Sequence, residues 1–329
     1  MKRKLKRILL LVLAAMSAAA AWLAYQLHNH PSLTPYANLM LAPADSAHAE
    51  MRVTFLGVST LLLDDGETMI LTDGFFSRPD RFRVVAGKIA PDRERITRSL
   101  AHAGIQRLAA VIVTHSHYDH AMDSPEVARL TGALLIGSES TANIARGWGL
   151  AADRIRVVHD GDSFDFGRFH VTLIRSRHAP TAFTGGEIRQ PLVPPARTNQ
   201  YLEGESYSLL IRHGQRSMLV QSSAGYADGA LRGHHADVAF LGIGTLGKQE
   251  RVQRQAYWRE TAHTVGARRV IPIHWDDFTL PLEQPLVPLP RPFDDFDASM
   301  RFLLERGRQD NVDVKFAPAW IKVDPFAGL

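Results

Sequence analysis

Val111–Asp123 reads "VIVTHSHYDHAMD". Three β-branched apolar residues lead through Thr114 into His115, His117, Asp119 and His120. Such a run has the composition of a buried strand, which puts the polar string at the strand's end. In an open α/β sheet, strand ends are where ligands converge. Alternate residues of a tight turn project in different directions, so one turn can serve two adjacent metal ions. Neutral imidazole and carboxylate suit zinc, and also iron or manganese. The alternative is a polar turn that is merely rich in histidine. It loses force because single histidines close two other apolar runs: His178 ends "VTLIRSRH" and His274 ends "VIPIH".

On these residues the chain resembles the metallo-β-lactamase fold superfamily of metal-dependent hydrolases, over roughly residues 51–316. "THSHYDH" is the most specific motif. "FLGVSTLLLDDGETMILTDGFF" is similar to the family's opening hairpin, which ends in an aspartate, here Asp73. "VVHDGDSFDFGRFHVTLIRSRH" and "IPIHWDDF" resemble the segments bearing the third and last metal histidines. The branch it looks most like contains N-acyl-phosphatidylethanolamine phospholipase D and ascorbate-phosphate lactonase types. The resemblance implies an α/β fold, an αβ/βα four-layer sandwich with metals at one edge of two packed sheets. It implies that His115, His117 and His178 hold a first metal, and Asp119, His120 and His274 a second. It implies one or two zinc ions per chain, other divalent transition metals serving as well, with Asp119 also in the catalytic machinery and Asp73 orienting the cluster. Paired divalent ions lower the pKa of a water between them and polarise the bond to be cleaved.

One departure bears on stoichiometry. Many members of the family carry a bridging aspartate in a Gly-Asp-Thr-Gly-like motif, where this chain reads "LVQSSAGYADG". Matching Gly225 and Tyr226 to the motif puts Ser223 in the aspartate's place. A neutral hydroxyl cannot replace a bridging carboxylate, and Asp228 lies five residues on, past a turn. The expectation is a tightly held first metal and a weaker second. Tyr118 and Trp275 adjoin ligands and are expected to line the substrate site. The remaining histidines, including the adjacent His234 and His235, read as structural or surface residues.

The first thirty residues carry a different message. Lys2, Arg3, Lys4, Lys6 and Arg7 precede an uncharged stretch from Ile8 to Leu27, long enough to cross a bilayer as one helix. The cationic start predicts an N-terminus on the cytoplasmic side and a domain outside it, periplasmic in a bacterium. Trp22 and Tyr25 stand where interfacial aromatics would. The rival reading is a cleaved signal peptide and a secreted product. Residues 31–50 lack periodicity and read as a linker to a single domain over 51–329.

The basic residues of this leader account for the chain's positive balance. Beyond residue 30, 33 basic side chains face 34 acidic ones, which leaves no basic stripe for nucleic acid. No cysteine occurs in the 329 residues, so disulfides, thiolate ligands and a cysteine nucleophile are excluded.

Elsewhere strands and helices alternate, as expected of a layered α/β domain with much antiparallel pairing. Helices are predicted over 92–103, 138–148, 250–265 and 297–308. Two proline-rich stretches, Pro191–Arg197 and Pro281–Pro292, each follow a predicted ligand and read as walls of the site. The functional expectation is hydrolysis of an ester, lactone or phosphodiester. A small-molecule or lipid-like substrate is suggested by the apolar loops and the anchor. A β-lactam is disfavoured because His178 is followed by "APTAF" rather than Gly-His-Thr-Pro-Gly. The contrasting possibility, motivated by Ser223, is a non-catalytic binding protein on an eroded scaffold.

Overall fold

The computed structural model describes residues 2–45 and 49–329. Six strands, β1 (Arg52–Phe55), β2 (Leu61–Asp64), β3 (Met69–Thr72), β4 (Ala110–Ile112), β5 (Leu134–Gly137) and β6 (Ile155–Val157), enter the first sheet in chain order. The next seven, β7 (Ser163–Phe166), β8 (Phe169–Ser176), β9 (Ser206–His213), β10 (Arg216–Gln221), β11 (Val238–Gly242), β12 (Arg269–Ile273) and β13 (Asp313–Val314), form the second. The last strand, β14 (Lys322–Val323), returns to the first sheet and pairs with β1. Both sheets are mixed: hairpins join β1, β2 and β3, and parallel pairing runs from β3 to β6.

Among the described residues there are also eight α-helices: α1 (Lys2–His28), α2 (Arg81–Ala86), α3 (Arg93–His102), α4 (Tyr118–Ala121), α5 (Ser124–Thr131), α6 (Glu139–Trp148), α7 (Arg251–Trp258) and α8 (Phe296–Asp310). Two apolar clusters explain the layering. Val53, Phe55, Leu61, Leu63 and Ile70 face Val171, Leu209, Leu219 and Phe240 of the other sheet. The alternate residues Leu62 and Leu71 join Val111 and Leu135 under Ile96 and Leu100 of α3, Val127 of α5 and Ile144 of α6. Strands covered on both faces need apolar side chains at consecutive positions, which is why they read as runs rather than alternations. Tyr257 and Trp258 of α7, with Met300 and Leu303 of α8, join the core behind the second sheet. This is the expected αβ/βα sandwich. The helix expected over 250–265 forms as α7, followed by a π-helical turn, Arg259–His263.

The linker reading of residues 31–50 is corrected, apart from residues 46–48, which lie outside the described residues. A 3₁₀ turn over Thr34–Leu39 docks on the domain. Tyr36 packs against Phe296 and Phe316. The Leu41 amide donates to the Phe316 carbonyl at 2.9 Å and the Ala44 amide to the Lys322 carbonyl at 2.8 Å. The segment extends the edge beside β14. Its scattered apolar residues fill a groove, which requires no period. By contrast α1 leaves Ile8, Leu11, Leu13 and Trp22 exposed, and its apolar window is wholly uncovered.

At the start of α8, Asp294 is fully buried and one carboxylate oxygen has no partner. Burial pushes its pKa up to about 7. Below about pH 4 both folded and unfolded chains carry the proton, and between about 4 and 7 only the folded chain does. Stability is therefore greatest at the acid end of that window and falls as pH rises through about 7, by a few kcal/mol in total. Asp294→Asn is expected to flatten this slope in denaturant unfolding measured from about pH 5 to 8. An unchanged slope would show that another group sets it.

Candidate metal centre

Five strand ends from both sheets meet at one edge. Asp73 follows β3, His115 follows β4, His178 follows β8, Ser222 follows β10 and His274 follows β12. The turn after β4 adds His117, and α4 adds Asp119 and His120. The result is two adjoining triads, His115–His117–His178 and Asp119–His120–His274, each with its donor atoms within 4.8 Å of one another. The rings of His115 and His120 are 3.8 Å apart, so the triads share a wall. The structure thus brings together all six residues expected as ligands.

The hydrogen bonds choose which ring nitrogen each histidine turns inward. His117 Nε2 lies 3.0 Å from the Phe183 carbonyl, His178 Nδ1 2.8 Å from the Ala179 carbonyl, and His120 Nδ1 2.8 Å from Asp73 Oδ2. A nitrogen that donates outward leaves the other with a free lone pair, the arrangement a metal ligand requires. His115 Nε2 is buried without a partner, and His120 Nε2 and His274 Nε2 stand 3.2 Å apart. A buried nitrogen with no partner and two facing imidazole nitrogens are costly unless a cation lies among them. The residues fit one: three neutral imidazoles on one side, two imidazoles and a carboxylate on the other.

Electrostatics agree. Burial, reinforced by His120, drives the pKa of His115 well below that of free histidine. Burial with repulsion from His117 pushes His178 down to about 3, and burial lowers His117. All three are neutral donors at pH 7, which metal binding requires. For Asp119, burial opposes the charge, but His120 and His274 outweigh it and hold the carboxyl far below its usual range. His120 shows the reciprocal effect: burial is outweighed by Asp119 and then Asp73, and its pKa is raised.

Asp73 is hydrogen-bonded into the cluster. Its carboxylate accepts from the Thr114 amide at 2.8 Å, the Thr114 hydroxyl at 2.9 Å and the Ser59 hydroxyl at 2.5 Å, besides the His120 ring. Glu203, not singled out by the sequence, ties the two histidine loops together. Its carboxylate accepts from the His178 amide at 3.3 Å and the Gly185 amide at 2.5 Å, and its backbone carbonyl accepts from the Ser116 amide at 2.8 Å. The backbone is strained here: Val58, Asp73, Arg78 and His274 all have positive φ, between 45° and 55°. Non-glycine residues in that region each cost about 1–3 kcal/mol and cluster at functional sites.

The Ser223 hydroxyl accepts from the Ala179 amide at 2.9 Å, next to His178, and the Ser222 hydroxyl lies 3.4 Å from His115 Nδ1, not at the unpartnered Nε2. One expectation is corrected: Trp275 does not line the site. It is 3% exposed and packs on Phe55, Phe296 and Phe316 between the sheets, because the residue after an outward-pointing ligand points back. Tyr118 does stand at the rim, edge-on to Phe75 and Phe278, and Phe278 meets the His274 ring at 5.6 Å.

Comparison with known proteins agrees with this geometry. The family model described as "Beta-lactamase superfamily domain" matches residues 68–275, more than half of the chain. A protein of Heliobacterium modesticaldum, named UPF0173 metal-dependent hydrolase, is 26% identical over 239 residues, covering 69% of this chain and 84% of its own. A like-named protein of Exiguobacterium is 24% identical, covering 71% and 89%. Among solved structures, the metallo hydrolase Igni18 of Ignicoccus hospitalis superposes with TM-score 0.52 at 14% identity, covering 83% of this chain and 97% of that one. The metallo-beta-lactamase fold protein YhfI of Bacillus subtilis gives 0.50 at 16%, covering 83% and 98%. The chain belongs to the beta-lactamase superfamily. Within it, the protein is a metal-dependent hydrolase.

The position of Ser223 yields a test of stoichiometry. Ser223→Asp introduces a carboxylate beside the backbone that carries His178. At an effective dielectric of about 20, unit charges roughly 4 Å apart interact by about 4 kcal/mol before desolvation. A net gain of about 1.4 kcal/mol tightens the second metal about tenfold. Ser222→Asp, whose side chain meets His115 Nδ1 rather than Nε2, should not. Competition with a chromophoric chelator measures both; tightening by Ser222→Asp and not by Ser223→Asp would place the bridging position at 222.

Proposed function

We propose that this hydrolase cleaves an ester or phosphodiester bond in an amphiphilic substrate, with zinc in its sites and its domain held outside the cytoplasm by α1. The carrying observation is the apolar rim around the cluster. Phe183 is 70% exposed while its carbonyl holds His117, and Phe278 and Tyr118 border His274. Polar donors at the bottom and aromatic rings at the rim suit a polar head joined to an apolar tail.

Two bound divalent ions supply an acidified water and a Lewis acid for the scissile bond. The chain's own residues do the rest. His115, His117 and His178 present neutral nitrogens without releasing protons. Asp119, held far below the usual carboxylate range, stays ionised and is a poor proton store, so it orients rather than shuttles. Asp73 and Ser59 keep the proton of His120 on Nδ1. The Phe183 carbonyl fixes His117 and places the apolar ring of the same residue at the entrance.

The test is metal analysis of the full chain in detergent, followed by ester, lactone, phosphodiester and β-lactam substrates with short and long acyl chains. The expected result is zinc content, with chelator-sensitive cleavage that improves with acyl length. Cleavage of β-lactams alone, or of no substrate by metal-loaded protein, overturns the proposal.

A further inference from the structure

The segment between β3 and β4 holds a short helix with no evident structural employment. In α2, Phe82 and Val85 lie three residues apart, on one face, and are 76% and 77% exposed. Arg83 and Lys88 flank them and are also exposed. The helix is not loose. The Asp80 carboxylate caps its N-terminus, accepting from the Arg83 amide at 3.0 Å. The Thr198 hydroxyl donates to the Val84 carbonyl at 2.9 Å, and Ile89 pairs with Ala196. The chain thus fixes the helix on the body of the domain while leaving its apolar face outward. Large apolar side chains on a rigid, cation-flanked face mark an interaction surface.

Arg81 shows what lies against it. Its guanidinium donates to the Leu27 carbonyl at 3.0 Å and to Asp277 Oδ2 at 2.8 Å, and lies 5.2 Å from the centre of the Phe293 ring. Phe293 is itself 41% exposed. Leu27 is in the last turn of α1. That helix has 27 residues, about 40 Å at 1.5 Å per residue, against a hydrocarbon core of about 30 Å. Its last turns, beyond the interfacial aromatics Trp22 and Tyr25, therefore stand in the headgroup layer. Arg81, bound to that end, stands at the same level, and so does α2.

We infer that α2 is a membrane-surface foot: Phe82 and Val85 insert at the boundary between headgroups and acyl chains of the bilayer that α1 crosses, while Arg83 and Lys88 meet anionic headgroups. The inference rests on α1 being a membrane span and goes beyond it, because a span alone does not decide which face of the domain meets the lipid. The foot also orients the site. Asp277, which takes Arg81, is three residues from His274, and its neighbour Phe278 packs on the His274 ring. A domain seated on α2 holds the aromatic rim beside the lipid surface, where an amphiphile reaches the metal centre without leaving the bilayer.

The absence of cysteine makes the test clean. Single substitutions Phe82→Cys, Val85→Cys, Glu67→Cys and Ala19→Cys are labelled with a nitroxide in the full chain, reconstituted in phosphatidylethanolamine–phosphatidylglycerol vesicles. Glu67 lies in the turn between β2 and β3, at the end of the sheet away from Asp73. Power saturation then compares collisions with oxygen, which concentrates in lipid, and with a water-soluble nickel chelate. The expected result is oxygen-dominated relaxation at 82, 85 and 19, and nickel-dominated relaxation at 67. If 19 is lipid-exposed but 82 and 85 behave like 67, the foot is wrong and the anchor stands. If 19 is also nickel-accessible, the anchor reading fails and the foot with it. Shielding of 82 and 85 from both reagents means that protein covers the face, and overturns the inference.

Discussion

Asp276→Ala is expected to destabilise the domain by about 3–5 kcal/mol, the cost of leaving one member of a buried ion pair without its partner. Arg78 is 1% exposed, and its Nη1 donates to Asp276 Oδ2 at 2.6 Å. Its Nε and Nη2 have no hydrogen-bond partner, and the Phe75 ring lies 5.6 Å from the guanidinium, so the carboxylate is the one anion that compensates the buried charge. The other oxygen, Oδ1, accepts from the amide of Val58 at 2.7 Å, and the Val58 carbonyl in turn accepts from the His274 amide at 2.6 Å. Val58 and His274 both have left-handed backbones, so the pair also pins two strained residues beneath the last metal ligand. Two effects should therefore separate. Arg78→Met with Asp276→Leu, which removes both charges, should recover most of the stability in denaturant titration. It should not recover the second metal's affinity, because the clamp on Val58 is still missing. If the double variant is as unstable as the single one, charge burial is not what the pair balances.

Asp73→Asn is expected to weaken metal binding by about 10- to 100-fold while changing stability far less. The substitution keeps the shape, and the amide oxygen can still accept from the Thr114 amide. What changes is the atom facing His120. Oδ2 now lies 2.8 Å from His120 Nδ1 and accepts its proton. An amide nitrogen there donates instead, which moves the ring proton to Nε2, the atom directed at His274 and Asp119. A protonated nitrogen cannot ligate. The loss should therefore fall on the Asp119–His120–His274 triad, leaving the three-histidine triad nearly intact. Metal titration resolves the two steps, and the nitrogen NMR shifts of His120 report the tautomer. Equal loss at both sites would mean that Asp73 acts through Thr114 and the whole turn rather than through one proton.

The ligands were legible because strand ends carry them and the intervening runs are unambiguous. Once "THSHYDH" marks an edge, a histidine closing a buried strand that runs toward that edge becomes a candidate, which places His178 and His274 a long way off in sequence; His213 closes β9, which runs the other way, and meets Asp65 instead. Other residues failed for reasons of direction and context. Trp275 adjoins His274, but successive side chains on a strand point to opposite sides, and adjacency implied the wrong one. Residues 31–45 bury Leu41 and half-bury Tyr36 in a groove whose shape exists only after α8 and β14 are placed. Arg78 and Asp276 are 198 residues apart, and neither bears a local mark of pairing, although Asp276 sits two residues beyond a ligand.

The return of β14 to β1 has a consequence for biogenesis. Val53 and Thr54 pair with Val323 and Lys322, so the domain's first strand has its outer neighbour made long after itself. Chains are synthesised at roughly 5–20 residues per second, which leaves that edge bare for many seconds while the C-terminal half is still being produced. His274 is delivered late in the same interval. The nascent chain therefore has neither a closed first sheet until β14 is made nor a complete second triad until His274 is. The first triad needs nothing beyond His178, so the two sites become available to metal at different stages of synthesis.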